Sequence, residues 1–237
     1  MLETTPPENI LFLDIETVGA VPSYSRLDPK MKSFWDRKFD KIKKSPEDTP
    51  ETCYQSAGIY AEFGKIVCIS VAFLKDGLLR IKSFADHDEQ TLLQDFANLL
   101  NAYFYKSVHR LAAHNGKEFD FPYLCRRMLI NSVPLPNILN VAGKKPWETS
   151  FLDTMELWKF GDYKNYTSLD LLATLFGIPS PKDDIDGSMV HQIYWESQDL
   201  DRIAAYCEKD VLTIVQLYLR YNGLDLLAED KIRFVKG

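Results

Sequence analysis

Two periods of hydrophobic and polar residues alternate along this chain. Short continuous apolar runs at residues 9–13 and 65–74 predict two buried strands. Asp76-Gly77 marks a hairpin that returns along residues 78–84. Over residues 88–105, Leu92, Leu93, Phe96, Leu99, Leu100 and Tyr103 fall at helical spacing and predict a helix laid on the sheet. Leu111-Ala112-Ala113 reads as a short strand broken by Asn115-Gly116. Pro122 suits the first turn of a helix running to about Ile130, closed off by Pro134 and Pro136. Phe151-Leu152-Asp153-Thr154 opens a second half. There, Ser168 to Phe176 reads as a helix stopped by Gly177 and Pro179, followed by an acidic loop at residues 180–187. Asp199 to Tyr221 reads as a long amphipathic helix with Ile203, Cys207, Val211, Ile214 and Tyr218 on one face. A hairpin followed by alternating strands and helices predicts an α/β fold, a mixed central sheet flanked by helices, as a single domain over residues 1–237.

The pattern is interrupted at about residues 20–62, which carry Pro22, Pro29, Pro46 and Pro50. An insertion of this length is expected to hold some helix of its own. Within it lie Lys30, Lys32, Arg37, Lys38, Lys41, Lys43 and Lys44 against Asp36 and Asp40, with Phe34, Trp35 and Phe39 among them. Two readings are open. In one, Lys on phosphates and aromatics on bases clamp a single strand. The other, slightly preferred, is a solvated helix whose aromatics pack on the core.

Composition narrows the class. The chain has 237 residues, 46% of them hydrophobic, enough for one large core and too apolar for disorder. No apolar run approaches the roughly 20 residues of a membrane span. The start is acidic and Pro-rich, without the basic and apolar regions of a leader, so export is not expected. The scattered Cys53, Cys68, Cys125 and Cys207 form neither a zinc motif nor a disulfide framework, so a cytoplasmic location is expected. A net charge of −6 argues against a sequence-independent duplex binder, whose affinity comes from cations on phosphates. It leaves room for an enzyme in which metal ions stand between carboxylates and phosphates.

Three groups of carboxylates carry the candidate chemistry, and each also has a plain structural reading. Asp14 and Glu16 lie two apart at the end of the first strand, hence on one side of it; they could be solvated acids at a turn. Asp120 stands just before Phe121-Pro122 and could cap a helix. Tyr206 and Asp210 are four apart on the long helix and could be a surface pair.

Taken in order, Asp-x-Glu, Asn-x4-Asp and Tyr-x3-Asp resemble the DEDD superfamily of 3′–5′ exonucleases, which has a ribonuclease H-like fold. The likeness is nearest to the proofreading exonuclease domain of family B DNA polymerases, through Leu13-Asp14-Ile15-Glu16-Thr17 and residues 115–124. Residues 168–173 and Lys182-Asp183-Asp184 add to it. The resemblance implies two divalent metal ions, Mg²⁺ or Mn²⁺, with Asp14 bridging both, Glu16 and Asp210 completing one site, and Asp120 holding the other. Tyr206 would orient the attacking water, as in the tyrosine subclass; where the histidine subclass has His, this chain has Ala205. Thr17, Asn115 and Phe119 would contact the terminal nucleotide. Few residues follow Tyr221, so the resemblance is to a stand-alone exonuclease without a polymerase half.

Two metals roughly 3.5–4 Å apart suit in-line phosphodiester hydrolysis, and carboxylates are the donors hard divalent ions prefer. The expected substrate is single-stranded DNA, cut from its 3′ end to nucleoside 5′-monophosphates. The alternatives are an RNA-trimming relative, and a binding module that has lost catalysis. The presence of all four carboxylates and the tyrosine speaks against the last.

Overall fold

The computed structural model describes residues 5–162, 166–179 and 184–235. In chain order its elements are β1 (Ile10–Gly19), α1 (Pro29–Ile42), α2 (Pro50–Cys53), β2 (Gly64–Lys75), β3 (Leu78–Ala85), α3 (Glu89–Tyr103), β4 (Arg110–Ala113), α4 (Asp120–Ile130), β5 (Leu152–Asp153), α5 (Thr154–Lys159), α6 (Leu169–Leu175), α7 (Val190–Gln192), α8 (Leu200–Tyr221) and β6 (Ile232–Phe234). The strands form one mixed sheet in the order β5-β4-β1-β2-β3-β6. β2 runs antiparallel to both β1 and β3, while β4 lies parallel to β1, β5 to β4 and β6 to β3. This is the expected α/β architecture, with helices on both faces.

Period-two alternation sends the side chains of β1 to two different cores. Leu11, Leu13 and Ile15 join α3 and α4 through Leu93, Phe96, Phe121 and Leu124. Ile10 and Phe12 join α8 through Val211, Ile214 and Tyr218. The hairpin turn forms as predicted, with Asp76 and Gly77 both at positive φ (54° and 71°), the two left-handed residues of a twist-matched turn. Asp88, Ser168 and Asp199 cap α3, α6 and α8 with their side chains.

β1 departs from expectation. It does not end at the carboxylates but continues to Gly19, paired with β2 down to Gly19 opposite Gly64, with a bulge between Glu16 and Thr17. Its parallel partner stops earlier, since the β4 register ends at Phe12 opposite Ala112. Beyond Phe12, no strand among the described residues pairs with that edge of β1.

Residues 20–63 leave β1 and rejoin at β2, and they do hold helix. Trp35 is fully buried and meets Tyr54 and Phe63 edge-on at ring distances of 5.2 and 5.1 Å. Its indole N–H donates to the Pro50 carbonyl at 2.8 Å. Trp35 and Phe39 are buried as expected, but Trp35 sits in a separate aromatic cluster beside the sheet, and Phe34 stays exposed. The segment is tied down where Gly64 passes so close to Tyr123 that a Cβ would come 2.3 Å from its hydroxyl, which donates to the Gly58 carbonyl at 2.7 Å.

A buried ion pair fixes α3, α4 and the start of β2 to one another. Arg127 Nε and Nη2 donate to the two oxygens of Glu89 at 2.8 and 2.5 Å, and Nη1 donates to the Ala61 carbonyl at 2.9 Å. The Ile66 amide and Asn131 Nδ2 also donate to Glu89, so the buried carboxylate is well satisfied. Among the described residues no helix is long and apolar enough to cross a membrane.

Candidate active site

Asp14 and Glu16 occupy the α8-facing side of β1, directly after Ile10 and Phe12. The sequence puts acid where the core stripe should continue. Opposite them on β2 stand two small residues, Ser70 beside Asp14 and Cys68 beside Glu16, so the carboxylates are not crowded out by bulk. α8 shows the same change of character at the same level: below Val211 and Ile214 in the core come Asp210, Cys207 and Tyr206. Tyr206 is buried and its hydroxyl hydrogen-bonds Asp210, so the reading of these two as a surface pair is overturned.

Asp120 comes from the other side. The turn after β4 takes Asn115 through a left-handed conformation (φ 62°), and Gly116 follows because a Cβ there would lie 2.4 Å from that of Ala113. Asp153 holds the turn, accepting from the Asn115 amide at 2.9 Å and the Lys117 amide at 3.0 Å while capping α5. Asp120 is then the first residue of α4, preceded by Phe119 in the cap position, so it is not the cap its place before Pro122 suggested. Its carboxylate is buried and takes hydrogen bonds from its own amide and that of Ile15, which puts it against the edge of β1 beyond Phe12.

Four carboxylates from three elements thus act on one another. Asp14 is driven well above the usual carboxylate range, first by burial and then by Asp210, Glu16 and Asp120. Glu16 is driven up by burial, Asp210, Cys68 and Asp120. Burial raises Asp120 to about 7, with Asp153 and Asp210 adding to it. Tyr206 is pushed up by burial and the carboxylates, so its hydroxyl keeps its proton. Among the described residues, no Lys, Arg or His pairs with Asp14, Glu16 or Asp120.

Asp14, Glu16 and Cys207 bring one potential ligand atom each within 4.8 Å of one another. The thiol is the odd member. Cys207 donates to the carbonyl and to Oδ2 of Asp14, both at 3.4 Å, and burial with Cys68 and Asp14 holds it well above the ordinary thiol range. Carboxylate oxygens make up the rest of the donor set, and these suit a hard divalent cation better than a thiol does.

The three substrate-contact candidates differ in setting. Asn115 Oδ1 is buried with no hydrogen-bond partner. Thr17 lies next in chain to the carboxylates but bonds to the Tyr123 hydroxyl. Phe119 packs against Tyr123 at 5.3 Å and is partly buried. Of the Lys182-Asp183-Asp184 stretch, the first two lie outside the described residues, and Asp184 pairs with Arg202 at 2.6 Å. Sequence reasoning passed over Asp153 as a turn-holder and Cys207 as a partner of Asp14. An Asp-Thr before a helical stretch was a cap signal for the first; nothing local marked the second, which depends on α8 docking.

Residues 59–231 match a family described as a predicted 3′–5′ exonuclease related to the exonuclease domain of PolB. The chain belongs to that family. Membership places it in the 3′–5′ exonuclease class that the family description predicts. The matched stretch includes Asp120, Tyr206 and Asp210, while Asp14 and Glu16 lie before it. Among solved structures, the family B DNA polymerase from the hyperthermophilic archaeon Pyrobaculum calidifontis is similar in fold, with a TM-score of 0.53 at 17% identity. That likeness covers 91% of this chain but only 24% of the polymerase. Together with the mixed sheet, it supports a ribonuclease H-like fold. No curated protein matches the chain.

Proposed function

We propose that the chain is a metal-dependent exonuclease that trims single-stranded DNA from its 3′ end, releasing nucleoside 5′-monophosphates, with residues 20–62 an insertion into a single catalytic domain. The carrying observation is the crowding of Asp14, Glu16 and Asp120, each raised by burial and by Asp210 and none with a protein cation among the described residues. Such a cluster is self-repelling unless a cation occupies it. Asp14, Glu16, Asp120 and Asp210 would hold a pair of Mg²⁺ or Mn²⁺ ions, which supply charge neutralisation and an acidified water when bound.

The chain's own groups do the rest. Tyr206, protonated and anchored on Asp210, orients the attacking water through its hydroxyl. The unpartnered Asn115 oxygen offers an acceptor to the terminal nucleotide. The assignment to DNA follows the likeness to polymerase exonuclease domains.

The test is a time course on a 5′-labelled single strand with Mg²⁺, Mn²⁺ or EDTA, using wild type and Asp14→Ala. A metal-dependent ladder shortening from the 3′ end and absent in the variant supports the reading. Faster degradation of the equivalent RNA overturns the choice of DNA, and no cleavage of either by folded protein overturns the catalytic reading.

A further inference from the structure

α1 has two faces of opposite character. Its inner face buries Trp35 and Phe39, Trp35 within the aromatic cluster. On the outer face, Lys30, Phe34, Arg37 and Lys41 recur at intervals of four, three and four residues, a single stripe along the helix. All four are exposed, Phe34 at 42%. The Arg37 guanidinium lies 4.7 Å from the Phe34 ring centre, a stacked pair facing solvent. The acids of α1 are off the stripe: Asp36 accepts from the Tyr24 hydroxyl at 2.9 Å, and Asp40 pairs with Lys43 at 3.4 Å. Among the described residues no carboxylate pairs with Lys30, Arg37 or Lys41. This positive row stands on a chain of net charge −6.

Its location matters as much as its charge. The segment bearing α1 leaves β1 at Gly19, three residues past Glu16, or about 10 Å along the strand. Its return packs Gly58 against the backbone of Thr17 and Val18. His191 accepts from the Gly19 amide at 3.1 Å and Trp195 donates to the Gly19 carbonyl at 3.1 Å, pinning the exit point.

We propose that this stripe is a second binding site, for the phosphodiester backbone of the single strand upstream of its 3′ end. Lys30, Arg37 and Lys41 take successive phosphates, and the Phe34–Arg37 pair offers a platform for one base. The chemistry is charge on phosphate plus sequence-tolerant stacking, so no sequence preference results. The stripe rests on the exonuclease reading for its purpose: it draws a polyanion toward a site lined with carboxylates, and its benefit is confined to strands long enough to reach it.

The test compares wild type, Lys30→Glu/Arg37→Glu/Lys41→Glu, Phe34→Ala, and a charge-matched control at other exposed positions, Lys75→Glu/Lys106→Glu/Arg233→Glu. Binding of a long fluorescent single strand is followed in EDTA across salt concentrations, and steady-state kinetics on that strand and on a dinucleotide are followed with Mn²⁺. The stripe variant is expected to raise KM on the long strand tenfold or more with kcat unchanged. Its salt slope should fall by about 2, at roughly 0.7 per lost phosphate contact on single strands. Phe34→Ala should weaken binding without changing the slope. Dinucleotide turnover should not respond. Equal losses in the control, no loss in the stripe variant, or binding to anionic lipid vesicles but not to the oligonucleotide would overturn the proposal. If wild type cuts nothing, the exonuclease reading fails while the EDTA titration still decides whether the stripe binds.

Discussion

In the absence of metal, Asp120 holds its proton up to about pH 7, because burial and the facing carboxylates oppose its charge. A carboxyl raised in the folded state favours folding below its unfolded value near 3.8, and that contribution is lost as pH rises through about 7. Asp120→Asn should therefore match wild type near pH 4 and become progressively the more stable of the two toward pH 8, read as the difference in Tm in EDTA. A difference that runs the other way would refute the account. Asp14→Asn should likewise raise Tm in EDTA by a few degrees, each kcal/mol released shifting a chain of this size by about 2–4 °C, while activity disappears. Tyr206→Phe should keep the Mn²⁺-induced rise in Tm and lose roughly 10²-fold in kcat, since the hydroxyl is assigned to the water and not to the metal. Loss of the Mn²⁺ response in that variant would contradict its role.

Among the elements, the firmest joint is the one between α3, α4 and β2. Arg127→Met leaves Glu89 buried and uncompensated, and should cost about 3–5 kcal/mol in urea unfolding. What was readable in the sequence follows the same boundary between local and distant. The hairpin at Asp76-Gly77, the capped helix after Asp88 and the amphipathic α8 depend on neighbours in the chain, and their signals were in plain view. β5 and β6 are two and three residues long and exist only by pairing with β4 and β3, so no periodicity could announce them. The carboxylates were legible as residue types at ordered spacings. That Asp14 and Glu16 sit within β1 was not, because the strand's length is set by β2, while its pairing with β4 stops at Phe12. The partnership of Cys207 with Asp14 spans 193 residues and was beyond any local pattern.

For the molecule as a whole, binding of divalent ions to the folded state alone should raise Tm by an amount that grows with the logarithm of Mn²⁺ concentration, and EDTA should remove it. A flat response would mean that the carboxylates hold no ion. The arrangement of the cores has a separate consequence. Trp35, Tyr54 and Phe63 make up a cluster distinct from the cores packed on either face of the sheet. Trp35→Phe and Leu93→Ala should therefore add in stability to within roughly 0.3–0.5 kcal/mol. Independence of that kind is heritable freedom: a lineage can rewrite the outer face of α1 without renegotiating the strand that carries the acids. Relatives would then diverge fastest in how they hold a strand and slowest in how they cut it.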